Sequence, residues 1–174
     1  MNDDYPGVRI RLEANYLTLK VPLIVDLTTG DRITPKEIDY SYKLLFEERT
    51  ISILSHNMET ILAEKLETVL VRNVVNTRPR DFYDIYILYT LRGNECNLEI
   101  LKRALQETAK KRNSLLVLSD YQSIIGIISK DERLNKFWSN YQKEFEYARD
   151  ISYEDTYNVV MKIMSEIMGE KGNV

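Results

Sequence analysis

Apolar and polar positions alternate strictly from Val8 to Tyr16. Val8, Ile10, Leu12, Ala14 and Tyr16 fall on one face, and Arg9, Arg11, Glu13 and Asn15 on the other. Period two with one wet face predicts an antiparallel strand. Residues 21 to 27, Val-Pro-Leu-Ile-Val-Asp-Leu, are almost continuously apolar. That run predicts a strand buried on both faces, with Pro22 tolerated near its start and Asp26 interrupting it near its end. Thr28-Thr29-Gly30-Asp31 has turn chemistry, and Tyr42 to Leu54 offers one or two further short strands, including Thr50 to Leu54.

From Asn57 the period changes. Met58, Ile61, Leu62, Lys65, Leu66 and Val69 follow helical spacing, with Asn57 placed to cap the helix. A loop over 74–79 leads to a helix over about 80–91, which Gly93 is positioned to close. Further helices are predicted over 98–112, 120–128, 130–149 and 153–168. Ser119 with Gln122, Ser129 with Glu132 and Ser152 with Asp155 have capping-box or related spacing. All four prolines lie at or before Pro79, so the 95 residues that follow hold none of the strongest helix breaker. The class is α+β: a small N-terminal sheet, then a helical bundle. The expected division is residues 1–79, sheet plus first helix, and 80–174, helices, the two packed as one unit.

Composition narrows the function classes. The chain has 174 residues, 44% hydrophobic and 29% charged, which is too apolar for general disorder. No apolar run approaches the roughly 20 residues that span a bilayer, and the N-terminal residues do not read as a signal peptide. One Cys and one His disfavour a disulfide framework and a Cys/His zinc site. No membrane partner and a cytoplasmic location are expected. The net charge of −3 supplies no global attraction to nucleic acid, so such binding requires a local basic patch.

Three features have chemical potential. Asp26 interrupts an apolar strand, where an unpaired carboxylate is costly; it is either a cleft-facing ligand or a strand-end residue turning to water and capping the 28–31 turn. Lys65 sits on the apolar stripe of its own helix, and its ammonium either snorkels outward or points into a site holding negative charge. Glu64 and Glu67 lie on the more polar sides and read as solvated charges. Residues 78–86, Arg-Pro-Arg-Asp-Phe-Tyr-Asp-Ile-Tyr, concentrate arginines, aspartates and aromatics. Asp81 and Asp84 share a face at a helix start, where the dipole alone accounts for acidic residues, and Arg80 can pair with Asp84 at i, i+4. Phe82, Ile85, Tyr86 and Tyr89 read as core. His56 reads as a loop residue. Lys110-Lys111-Arg112 suits a helix C-terminus, with RNA phosphates as the lesser alternative.

Taken together, Pro22 to Pro35 (PLIVDLTTGDRITP), Glu59 to Glu67 (ETILAEKLE) and Asn76 to Tyr86 (NTRPRDFYDIY) resemble the AbiEii/AbiGii abortive-infection toxins. These are nucleotidyltransferase-like toxins of type IV toxin–antitoxin systems, linked to phage defence, and the resemblance runs over about residues 5–92. It implies a partial nucleotidyltransferase sheet and metal-assisted transfer of a nucleotide from an NTP to RNA. Position by position, it implies Asp26 as a carboxylate holding catalytic Mg²⁺ and Lys65 as the group that neutralises the triphosphate. It also implies Asp81, with Arg80 and Asp84 beside it, as the acidic motif opening the next helix. The implied partners are an NTP, the 3′ end of tRNA and a cognate antitoxin. The chain contains neither a Gly-Ser dipeptide nor an Asp-x-Asp, the motif pair that supplies most metal ligation in such enzymes. That departure implies a toxin missing its first catalytic motif and inactive alone. The alternative is a non-catalytic nucleotide-, RNA- or antitoxin-binding module. A metal-dependent nuclease built on Asp26 and Glu64-x-x-Glu67 is disfavoured, because the expected nuclease Glu and Lys lie on a strand.

Overall fold

The computed structural model describes residues 7–28, 30 and 32–169. The chain separates into two compact units, residues 1–31 and 32–174.

The first unit is a hairpin. Strand β1 (Val8–Tyr16) pairs antiparallel with β2 (Leu19–Leu27), in the register Val8 opposite Leu27 through Tyr16 opposite Leu19. The alternation predicted for β1 is realised. Its apolar positions face Leu27, Val25, Leu23, Val21 and Leu19 across the ladder, so one face of the hairpin is apolar from end to end. Pro22 stands opposite Glu13 on a strand that pairs, among the described residues, with β1 alone. Burial of β2 on both faces is not realised: every position of both strands is exposed. A run that is apolar on both faces shows that a strand is suited to burial and does not supply the layer that buries it. Thr29 and Asp31 of the expected 28–31 turn lie outside the described residues, as do Tyr5 and Pro6. Gly30 adopts φ 81°, a conformation that glycine reaches without a Cβ clash.

The second unit opens with a second hairpin, β3 (Ile38–Lys43) against β4 (Thr50–Ser55), and continues in helices. The small sheet is thus two separate two-stranded ladders. The helices are α1 (Met58–Arg72), α2 (Pro79–Arg92), α3 (Leu98–Lys111), α4 (Leu115–Ser119), α5 (Tyr121–Ile128), α6 (Glu132–Glu144) and α7 (Tyr153–Met168). This is the predicted α+β order of strands then helices.

Local chemistry accounts for the boundaries. Asn57 caps α1 by accepting the Thr60 N–H at 2.8 Å, and its own amide donates to the Thr34 carbonyl at 2.7 Å. Pro79 occupies the first turn of α2, where its missing N–H costs nothing. Ser152 and Asp155 form the predicted capping box on α7. The other two spacings fail. Asp131 caps α6, and Ser119 ends α4, a short helix the periodicity did not reveal. The helix predicted over 130–149 stops at Glu144, and Glu146–Ala148 form a single 3-10 turn. The Gln142 amide holds this turn's exit by donating to the carbonyls of Arg149 and Ile151 at 3.0 and 2.9 Å. Trp138 donates its indole N–H to the same Ile151 carbonyl at 2.9 Å.

The core lies among the helices. Leu62, Leu66, Val69 and Leu70 of α1 are buried with Ile85 of α2 and Leu101 and Leu105 of α3. Ile125, Ile128, Trp138, Ile163 and Met164 extend it through α5, α6 and α7. Helix α1 packs on α2 and α3, and α7 on α2, α3 and α5. No helix of the described residues is long and apolar enough to cross a membrane.

Candidate functional site at the junction of helices α1 and α2

Lys65 follows Leu62 by one turn and directly precedes Leu66, both fully buried, so the packing of α1 on α2 sets its direction. Its ammonium does not snorkel to open water. It reaches the start of α2, 2.6 Å from Asp84 Oδ2 and 3.3 Å from Asp81 Oδ1. The Lys65, Asp81 and Asp84 side chains retain only 23, 15 and 23% exposure, so the ion pairs are partly shielded from water. Asp81 lies in the first turn of α2, where the helix dipole also favours its charge. Arg80 reaches the same carboxylate from outside, with Nε 3.8 Å from Asp84 Oδ2, and its side chain stays largely exposed.

Asn76 organises the approach to this helix. It is buried, and its side-chain oxygen accepts the Arg78 N–H at 2.9 Å, bending the chain into Pro79. The second carboxylate oxygen of Asp81, Oδ2, is buried and makes no hydrogen bond within the protein. A buried, unpartnered carboxylate oxygen is costly to retain and therefore notable. The site thus offers an ammonium with two carboxylate partners, an outer guanidinium and one uncommitted acceptor.

Asp26 belongs to the first unit. Both of its oxygens accept from the Arg9 guanidinium, at 2.6 and 2.9 Å, directly across the β1–β2 ladder. The Arg9 hydrogen bonds hold the Asp26 carboxyl below the usual carboxylate range. The structure therefore brings Lys65, Arg80, Asp81 and Asp84 together and gives Asp26 a separate partner. A metal centre needs several converging donors. Among the described residues no group of three or more His, Cys, Asp or Glu side chains is assembled to hold a metal ion. With the oxygens of Asp26 engaged by Arg9, the residues present do not fit a resident metal.

Glu67 is not a solvated charge. It is 3% exposed, accepting from Arg112 Nη1 and Ser114 Oγ at 2.7 Å each. Arg112, the last residue of the basic run, thereby ties the end of α3 to the middle of α1. The signal in the sequence was slight: Glu67 is next to Leu66, and only the α1–α3 packing turns that side inward. The aromatic reading of α2 holds. Phe82 and Ile85 are buried, while Tyr86 and Tyr89 pack partly buried against the core. His56 lies in the loop between β4 and α1.

Fold and site define an α+β protein whose helical half carries a lysine–carboxylate constellation. The model of the family described as nucleotidyl transferase AbiEii toxin, type IV toxin–antitoxin system, matches residues 1–159, and the chain belongs to that family. No curated protein and no solved structure matches it.

Proposed function

We propose that this chain supplies the triphosphate-binding part of a toxin that transfers a nucleotide from an NTP to RNA, with tRNA as the acceptor. The observation that carries this reading is the Lys65 ammonium, drawn off an apolar helix face to Asp81 and Asp84 with Arg80 outside. In this reading Lys65 exchanges a carboxylate partner for a phosphate, and Arg80 supports the phosphates from the solvent side. Asp84 returns Lys65 to position, and Asp81 holds the ammonium from its second side. Two cations and two carboxylates sum to no net charge, so phosphate binds here by displacing a carboxylate from the Lys65 ammonium.

Without a Gly-Ser or an Asp-x-Asp motif in its sequence, the chain by itself binds nucleotide and does not turn it over. That absence also favours the second reading, a non-catalytic module that holds nucleotide, RNA or a cognate antitoxin. Calorimetry with Mg²⁺ and each NTP tests the site: micromolar to millimolar binding is expected, weakened at least tenfold by Lys65→Ala. Equal binding by both proteins removes the nucleotide site from either reading. Incubation with Mg²⁺, labelled NTPs and total tRNA is expected to give no incorporation. Robust incorporation that Asp26→Ala abolishes makes the chain an enzyme in its own right.

A further inference from the structure

Beside the Lys65 constellation stands a group of aromatic rings that the phosphate chemistry does not use. Tyr83 of α2 meets Tyr147 of the 146–148 turn with ring centroids 4.7 Å apart. Phe145 stacks on Tyr147 at 5.4 Å with 28° between the planes, and Tyr141 of α6 lies 4.7 Å from Phe145. The Tyr141 and Tyr147 hydroxyls are 2.9 Å apart, which fixes the edge of the Tyr147 ring. Behind them Trp138 closes the stack, 5.6 Å from Tyr141. Tyr141 and Trp138 are buried, but Tyr147 is 54% exposed, and Tyr83 and Phe145 keep part of their surface open. A large ring left half bare among packed aromatic neighbours offers surface to another flat partner.

Its position gives the partner a chemistry. Arg80, Tyr83 and Asp84 occupy one turn of α2, and Asp84 holds the Lys65 ammonium. On a helix, residues three and four apart are side-by-side neighbours. The phosphate-seeking cations and the aromatic platform are therefore adjacent faces of one surface. The Tyr83 phenol, pushed up mainly by burial, also feels the nearby Asp84 carboxylate, as expected of groups that share this surface. A ligand with a flat heteroaromatic ring at one end and phosphates at the other matches both features.

We infer that Tyr147, backed by Tyr83 and Phe145, stacks the base of a nucleotide whose phosphates lie at Lys65 and Arg80. This rests on the nucleotide reading of the Lys65 site and adds a base subsite to it. The base comes either from a free NTP or from the end of a single-stranded RNA. Stacking on an aromatic side chain tolerates any base and is worth about 1–3 kcal/mol, or roughly 5- to 150-fold in affinity.

The test titrates the full chain with the four Mg–NTPs, with inorganic tripolyphosphate and with a single-stranded RNA hexamer. Tyr147→Leu is expected to weaken NTP or RNA binding about tenfold and leave tripolyphosphate unchanged, while Tyr147→Phe retains affinity within about twofold. Lys65→Ala is expected to weaken NTP and tripolyphosphate alike. Loss confined to NTP assigns the base to the free nucleotide, and loss confined to the hexamer assigns it to RNA. A nuclear Overhauser contact between base protons and the Tyr147 ring in the unsubstituted chain gives the same answer without a variant. Lys65-dependent binding that Tyr147→Leu leaves intact, with no such contact, overturns the platform and spares the phosphate site. No binding of nucleotide, tripolyphosphate or RNA to the unsubstituted chain overturns both.

Discussion

The N-terminal hairpin and the helical unit both set carboxylates against cations, yet they do so in opposite environments. In the hairpin, Arg9 and Asp26 meet in good two-point geometry on strands exposed along their whole length. In the helical unit, Lys65, Asp81 and Asp84 meet where α1 and α2 have already excluded much of the water. Exposed pairs gain little, because water screens the attraction and ordering two long side chains offsets it. Shielded pairs become strongly interdependent, because removing one partner strands a charge that water no longer reaches. The lesson is that the neighbours' burial, more than the quality of the ion-pair geometry, decides what a charged residue is able to do.

The comparison breaks if substitutions in the two units have similar effects, and the largest difference is expected in the core. Leu66→Ala removes a fully buried side chain of α1 and is expected to destabilise the helical unit by about 3 kcal/mol, read from urea unfolding. Leu12→Ala on the exposed hairpin is expected to stay within about 0.5 kcal/mol of the parent in the same experiment. Equal losses would show that the hairpin is a packed layer.

Next comes Glu67→Ala, which removes the buried acceptor of Arg112 and Ser114 and is expected to cost about 2 kcal/mol in thermal or urea unfolding. A neutral outcome would mean that this end of α3 is not held by Glu67. Lys65→Met keeps the apolar stem but leaves Asp81 and Asp84 facing each other, with an expected loss of about 2 kcal/mol that the double variant with Asp84→Asn partly restores. Strict additivity in that cycle would show that Lys65 and Asp84 do not interact.

The smallest effect is expected at Asp26→Asn, with no resolvable change in the unfolding midpoint at neutral pH. Arg9 lowers the Asp26 carboxyl in the folded chain, so the pair's contribution is present above the ordinary carboxylate range. It is lost as pH falls through the lowered folded value. A side-chain NMR titration is accordingly expected to place the Asp26 midpoint below that of a free aspartate. A midpoint at or above the free value would mean that Arg9 is not its partner in solution.

Much of the fold was legible in the residues themselves. The strict alternation of Val8 to Tyr16 specified β1, and helical spacing from Asn57 specified α1 together with its cap. Helix α7 was readable to both ends, because Ser152 and Asp155 state its start and the apolar stripe carries it to Met168. Failures cluster where local signals compete. Phe145 adopts an extended backbone so that Trp138 and Gln142 can both bond the Ile151 carbonyl, which ends α6 early. The site was legible in part: the Asp81–Asp84 spacing and the oddly placed Lys65 were visible, and their mutual contact was not. Glu67 was misread because its inward direction depends on where α3 lies.

The sequence by itself determined the order of strands then helices, the caps at Asn57 and Ser152 and the family, since these rest on interactions spanning a few residues or on short motifs. Tertiary structure alone decided which side chains meet: Lys65 with Asp81 and Asp84, Glu67 with Arg112, and the Tyr83 ring with that of Tyr147. Those pairs lie from 16 to 64 positions apart in the chain, so no local periodicity encodes them. Packing of helices brings them together, and the exclusion of water that packing causes gives their charges chemical consequence.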